Sequence, residues 1–345
     1  MNTLFIVWSC LIGLILSENQ VKNDIPVYWL NLKEMTNRRS AMESHLKAYG
    51  MKNNRRIEAL TPQTCNLLML ESSCNRVGFK DIAIVCSHVN ALYEALHDNS
   101  TTSMNSKYFI LLEDDVRFTF HVDFEKLISL APKDFGALQL MMSHKTSIET
   151  HWEKYHKDFE TFTYRPRDSS TWSAQAVLYN KEVVRRYIDK AVKIDRNGKL
   201  GFKLINSFDY KAAATKELNS FKPAIASECL FADMFVYSMA HPSYILNIPS
   251  LNSDIHGINS SLHQAHVAYH VQGFAAIEQI QEDLTEGRYK LPSFLSLLPS
   301  DGNRSGTPTA NMSHSMTWRT IAANNQVTAS HGVPKSFNFH KKAER

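Results

Sequence analysis

The stretch from Lys107 to Arg117 (KYFILLEDDVR) constrains this chain more than any other. Phe109, Ile110, Leu111 and Leu112 run without alternation into three carboxylates, Glu113, Asp114 and Asp115. An unbroken apolar run predicts a strand buried on both faces, as in a mostly parallel sheet with helices on either side. Open sheets of that kind bind ligands beyond the carboxyl ends of their strands, where these charges fall. Adjacent carboxylates raise one another's pKa unless a cation offsets them. The stretch therefore predicts a divalent metal carrying a phosphorylated substrate, although a solvated acidic turn would use the same residues. Side chains alternate along an extended chain, so Glu113 and Asp115 are the pair expected to face the metal.

The rest of the chain suits an enzyme-sized globular domain. It has 345 residues, 43% hydrophobic and 21% charged, which permits a sizeable core. A formal charge of +4, with no basic stripe interleaved with aromatics, argues against nucleic acid as a partner. Residues 1–17 contain an apolar run, Leu4 to Leu16, of signal-peptide length, ending at the small residue Ser17. They read as a cleaved signal peptide or an uncleaved signal anchor, and the body is expected in the secretory lumen (ER/Golgi) or outside. A membrane partner follows only if the leader stays. Four sequons, at Asn99, Asn259, Asn303 and Asn311, agree with that route. Beyond Cys10, Cys65, Cys74, Cys86 and Cys229 form an even set that permits disulfides. Cys65 and Cys74 are closest in sequence, and Cys86 reads as a buried thiol.

In order, Ile25 to Leu32 predicts the first strand, and a helix follows with Thr36 or Asn37 as N-cap. Arg38 and Arg39 in its first turn oppose the helix dipole, a penalty that a bound phosphate would reverse. Residues 61–79 read as a loop, and Lys80 to His97 as an amphipathic helix with Asp81 as N-cap. Ser87 and His88 lie off its apolar stripe. Phe124 to Leu130 predicts a helix, Phe135 to Met142 a strand, and Ser143 to Ser170 a flap or insertion without period. Trp172 to Tyr179 is a strand and Asn180 to Ala191 a helix. Glu228 to Ala240 is apolar yet carries Glu228 and Asp233; a carboxylate there is costly unless used or paired. Ser243 to Ile248 is a last strand, and residues 299–345 read as a disordered polar tail.

The succession Asn31-Leu32 with Arg38-Arg39, Cys86-Ser87-His88, Leu112-Glu113-Asp114-Asp115-Val116, a D-M-F segment and P-S-L-N-S-D-I resembles glycosyltransferase family 25. The resemblance covers roughly 25–260, within a domain placed at 25–285. It implies a GT-A-like α/β fold, a UDP-sugar donor (most often UDP-galactose), Mn2+ or Mg2+, and inversion at the sugar. Glu113, Asp114 and Asp115 would then correspond to the DxD-type motif, with Asn31, Arg38 and Arg39 at the nucleotide end and Ser87 and His88 lining the donor pocket. Asp233, or else Glu228, would be the base that deprotonates a hydroxyl of a glycan or glycoprotein acceptor. His256 is a further candidate metal ligand. Trp172 and Gln175 depart from the family's small residues, which leaves open a secreted, non-catalytic carbohydrate- or nucleotide-binding protein on a degenerate transferase fold.

Overall fold

The computed structural model describes residues 24–71, 78–157, 164–166, 171, 173–196, 198–205, 232–248, 251–253 and 264–297. The expected leader (residues 1–17) and polar tail (residues 299–345), together with Glu228, His256, Trp172, Cys74 and Cys229, lie outside the described residues. The first strand, β1 (Val27–Asn31), leads to α1 (Thr36–Ala48), β2 (Asn54–Glu58) and β3 (Leu67–Glu71). There follow α2 (Phe79–Leu96), the short α3 (Thr101–Asn105), β4 (Tyr108–Glu113), β5 (Val116–Phe118) and β6 (His121–Val122). Then come α4 (Phe124–Leu130), β7 (Ala137–Gln139), α5 (Lys145–Lys157) and β8 (Tyr164–Pro166). The strand β9 (Ala176–Asn180) runs straight into α6 (Lys181–Ala191), then β10 (Val192–Ile194) and β11 (Leu200–Ile205). Last are α7 (Ala232–Ser238), β12 (Ser243–Leu246), β13 (Leu251–Ser253), α8 (Gln264–Thr285) and β14 (Leu295–Ser296).

A seven-stranded sheet in the order β2-β1-β4-β9-β7-β12-β8 forms the centre. β1, β2, β4, β7 and β12 point one way; β8 and β9 run against them. The sheet is thus mixed, mostly parallel in strand direction, and flanked by helices. The buried run in β4 pairs in parallel with β1 on one side but antiparallel with β9 on the other.

Strand alternation sorts the core into two layers. Val27, Trp29, Ile110 and Leu112 face α1, α4, α5 and α8 through Met42, Leu46, Phe124, Ile148 and Ile277. Tyr28, Leu30, Phe109 and Leu111 face α2, α6 and α7 through Val85, Val89, Ile188 and Phe235. The same alternation sends Glu113 toward α2. Among the described residues no helix is long and apolar enough to cross a membrane.

Several local expectations are corrected. The disulfide joins Cys65 to Cys86, not to Cys74, because α2 carries Cys86 beneath the loop after β2. That loop region contains β3, which pairs with β11. α1 starts at Thr36 with Met35 at its N-cap and no side-chain cap, and α2 starts one residue earlier than expected behind Gly78. Asp81 sits at the third helical position, where it accepts from Gly78 N at 3.0 Å. The polar segment after Ser143 holds α5 and β8. The buried residues Ile148, His151, Trp152 and Tyr155 do follow a helical period, but a histidine interrupts its apolar stripe.

Gly136, just before β7, marks a close approach of two stretches of backbone. A Cβ there would lie 2.3 Å from Ala240 O. Gly136→Ala is therefore expected to destabilise by roughly 1–3 kcal/mol, read as a lowered denaturant midpoint at an unchanged slope.

Candidate functional site

The chain folds β1, crosses through α1 to β2 on one side, then returns through α2 and α3 to β4 on the other side of β1. Strand order therefore reverses between β1 and β4, and ligands of open α/β sheets bind in the crevice at such a reversal. Asn31 ends β1 and Glu113 ends β4, so both border this crevice. The start of β9 closes its far side, with Glu113 N donating to Gln175 O at 2.8 Å.

A connected polar cluster fills the edge. Arg38 pairs with Asp114, and with Asp115 Oδ2 at 3.0 Å. Asn31 Nδ2 donates to Asp114 Oδ2 at 2.6 Å and to Met35 O at 3.1 Å. Its Oδ1 accepts from Arg39 Nε at 3.3 Å and Arg56 Nη1 at 3.1 Å. Asn31 is 1% exposed, so it acts as a buried pivot between the acidic and basic groups. Gln175 Nε2 donates to Asp115 Oδ1 at 3.0 Å, and His88 Nε2 lies 2.9 Å from Glu113 Oε1.

The three carboxylates are not equivalent. The Asp114 side chain is 9% exposed, against 27% for Glu113 and 24% for Asp115. Burial pushes the Asp114 carboxyl up to about 6. Arg38 and the Asn31 hydrogen bond oppose that rise, while the charges of Asp115 and Glu113 add to it. Desolvation thus outweighs the ion pair, as happens when a carboxylate is taken from water without full compensation.

Gln175 was visible in the sequence only as a departure, and Arg56 carried no signal at all. Both join the cluster through tertiary contacts. Ser173, two residues before Gln175, has φ +145°, where side-chain-bearing residues rarely sit. Its carbonyl accepts from Tyr237 OH at 2.7 Å, and its Oγ accepts from Gln175 N at 3.2 Å, which hold the turn. Asp233 stands one helical turn before Tyr237 on α7, on the same face and half-buried. Through Tyr237, the helix that carries Asp233 is tied to the turn bearing Gln175.

Cys86, Ser87 and His88 fasten α2 at three successive points. Cys86 is bonded to Cys65. Ser87 Oγ accepts from Leu60 N and donates to Ala83 O, both at 2.7 Å, so its hydrogen bonds go to backbone. His88 is fully buried and reaches Glu113, while its Nδ1 has no hydrogen-bond partner among the described residues. With a carboxylate as partner, the arrangement suits the tautomer that donates from Nε2 to Glu113.

A hard divalent cation takes oxygen ligands, typically one or two carboxylates with phosphate oxygens and water completing the shell. Glu113 and Asp115 fit that donor set, being carboxylates within solvent reach. Among the described residues no three His, Cys, Asp or Glu side chains are grouped as a ready-made metal cage.

No family model matches this sequence, and no curated protein matches it. Among solved structures, the apo form of mouse xyloside xylosyltransferase 1 aligns with 47% of this chain and 68% of its own, at 13% identity and a TM-score of 0.25. A likeness that slight carries no argument about fold or activity.

Proposed function

We propose that this chain is a metal-dependent glycosyltransferase that moves a sugar from a nucleotide-diphosphate donor to an acceptor hydroxyl. The observation that carries the reading is the acidic and basic cluster at the strand-order reversal between β1 and β4. Sequence resemblance to family 25 supports a UDP-hexose, galactose first, as donor and a glycan or glycoprotein as acceptor. Glu113 and Asp115 would hold Mn2+ or Mg2+, which when bound supplies positive charge against the leaving diphosphate. Arg38 and Arg39, at the start of α1, add positive charge at the phosphate end. Asn31 and Gln175 orient Asp114 and Asp115 through the hydrogen bonds described above. Asp233 is the base we assign to the acceptor hydroxyl, taking its proton on the face opposite the departing diphosphate, which inverts the anomeric centre. The disulfide and the leader agree with work in the secretory lumen.

A second reading follows from Arg38. Its pairing with Asp114 and Asp115 already neutralises part of the acidic cluster, which suits a non-catalytic binding protein. Calorimetry with UDP and Mn2+, followed by a UDP-sugar donor screen, separates the two. Binding with donor turnover supports the transferase; binding with no turnover of any donor supports the second reading; neither binding nor turnover sinks both.

The role of His88 gives a sharper test. His88→Leu is expected to weaken Mn2+ binding by about 10-fold or more, because Glu113 loses the donor that aims it. His88→Gln, which keeps an N–H donor, is expected to restore most of that affinity. Equal affinities in the two variants would remove the orienting role.

A further inference from the structure

The sequon Asn99-Ser100-Thr101 lies between α2 and α3, in a loop the catalytic reading leaves unused. Its three residues are treated differently by the fold. Ser100 is engaged through its backbone and its side chain: its N–H donates to Asp98 Oδ1 at 2.9 Å, and its Oγ accepts from Ser103 N at 3.3 Å as the cap of α3. Asn99 and Thr101, the two residues an N-glycosylation acceptor requires, are both exposed.

The loop on either side of Asn99 is anchored to buried groups. Asp98 Oδ2 accepts from Tyr28 OH at 2.6 Å, which ties it to the beginning of β1. Ser103 is 1% exposed; its Oγ lies 3.1 Å from Tyr28 OH and accepts from Lys181 Nζ at 2.7 Å. Lys181 N in turn donates to Lys107 O at 2.9 Å, just before β4. Asn99 therefore stands at the amino-terminal edge of β1 and β4, and the acidic cluster stands at their carboxyl-terminal edge. From Lys107 to Glu113 the strand spans roughly 20 Å at about 3.3 Å per residue.

We infer that Asn99 is an N-glycosylation acceptor, modified on the edge of the sheet that faces away from the site. The co-reactant is an oligosaccharide on a polyprenyl diphosphate, supplied with its transferase by the host's secretory lumen. The Asn99 amide nitrogen forms a bond to the anomeric carbon of the first sugar. The bond from that carbon to the diphosphate oxygen breaks, the diphosphate leaves with the electron pair, and the amide gives up one proton. A glycan here adds bulk and solubility without approaching Glu113 to Asp115. The inference rests on the lumenal routing proposed above, and the Cys65–Cys86 disulfide is independent support for an oxidising compartment.

The test is expression of the full chain in secretory mammalian cells behind its own leader, and in parallel with residues 1–17 exchanged for a proven cleavable signal. Release by peptide-N-glycosidase in heavy-oxygen water is expected to convert Asn99 to a labelled Asp in the peptide that carries it. Asn99→Gln and Thr101→Ala are each expected to lose that label and one glycan step in mobility. Thr101→Ser is expected to keep both. Asn99→Gln is also expected to leave metal binding and donor turnover unchanged, given the distance from the site. An unlabelled Asn99 peptide from protein secreted behind the exchanged signal overturns the inference. A labelled peptide behind the exchanged signal, but not behind the native leader, upholds Asn99 as an acceptor and sinks the native lumenal routing.

Discussion

Asp115→Asn is expected to lower nucleotide-sugar turnover by roughly 10²–10³-fold or more while the protein stays folded. The substitution keeps the shape and the oxygen that accepts from Gln175 Nε2, and removes the charge. Asp115 is about a quarter exposed, so the fold loses little, and Arg38 retains its pairing with Asp114. On the proposed function, that charge would serve as one of two solvent-reachable carboxylates for the cation. The check is a donor-turnover assay beside a thermal unfolding curve. Full activity in a folded Asp115→Asn protein would remove the carboxylate cluster from the mechanism.

Arg38→Met is expected to have a large effect on stability, besides removing its charge from the phosphate end. It keeps the aliphatic stem but leaves Asp114 buried beside Asp115 and Glu113 without its cation. Removing one partner of a mostly buried pair costs about 3 kcal/mol, or roughly 6–12 °C in Tm for a domain of this size. The pH dependence gives a signed second readout. Asp114 sits at about 6 in the folded chain against the ordinary 3.8, so between those values the folded state binds the extra proton. Stability from this group is therefore greatest below about 4, falls as pH rises through about 6, and is flat above. The native protein, free of divalent cations, is expected to show that slope. Arg38→Met is expected to steepen it and extend it to higher pH, since Arg38 is what holds the carboxyl down. Asp114→Asn in the Arg38→Met background should recover most of the lost Tm. If the double variant is no more stable than the single one, the cost lies in packing and not in the stranded charge.

Parts of this molecule follow from short-range chemistry and were legible before the fold. The run Phe109 to Leu112 reads as a strand buried on both faces, since nothing along it offers water a polar side chain. α6 is marked by Asn180, whose side chain accepts from Glu182 N as its cap. α5 was less legible because His151 occupies a buried position and interrupts its apolar stripe. Among the site residues, Arg38 and the carboxylates stood out because like charges in succession need an explanation.

The sequence alone determined which residues carry charge, where the central strand ends, and that its end is acidic. Those are local facts of side-chain type and alternation. Only the tertiary structure decided how the charges are spent. Pairing β4 with β1 in parallel and β9 antiparallel brings Asn31 and Gln175, from distant parts of the chain, to Asp114 and Asp115. The α2 helix carries Cys86 to Cys65 and His88 to Glu113 in the same way. No spacing encodes those meetings, because strand order and helix packing bring together residues remote in sequence. Burial then separates one carboxylate from its neighbours: Asp114 is turned inward and pushed up to about 6, while Glu113 and Asp115 keep their access to solvent.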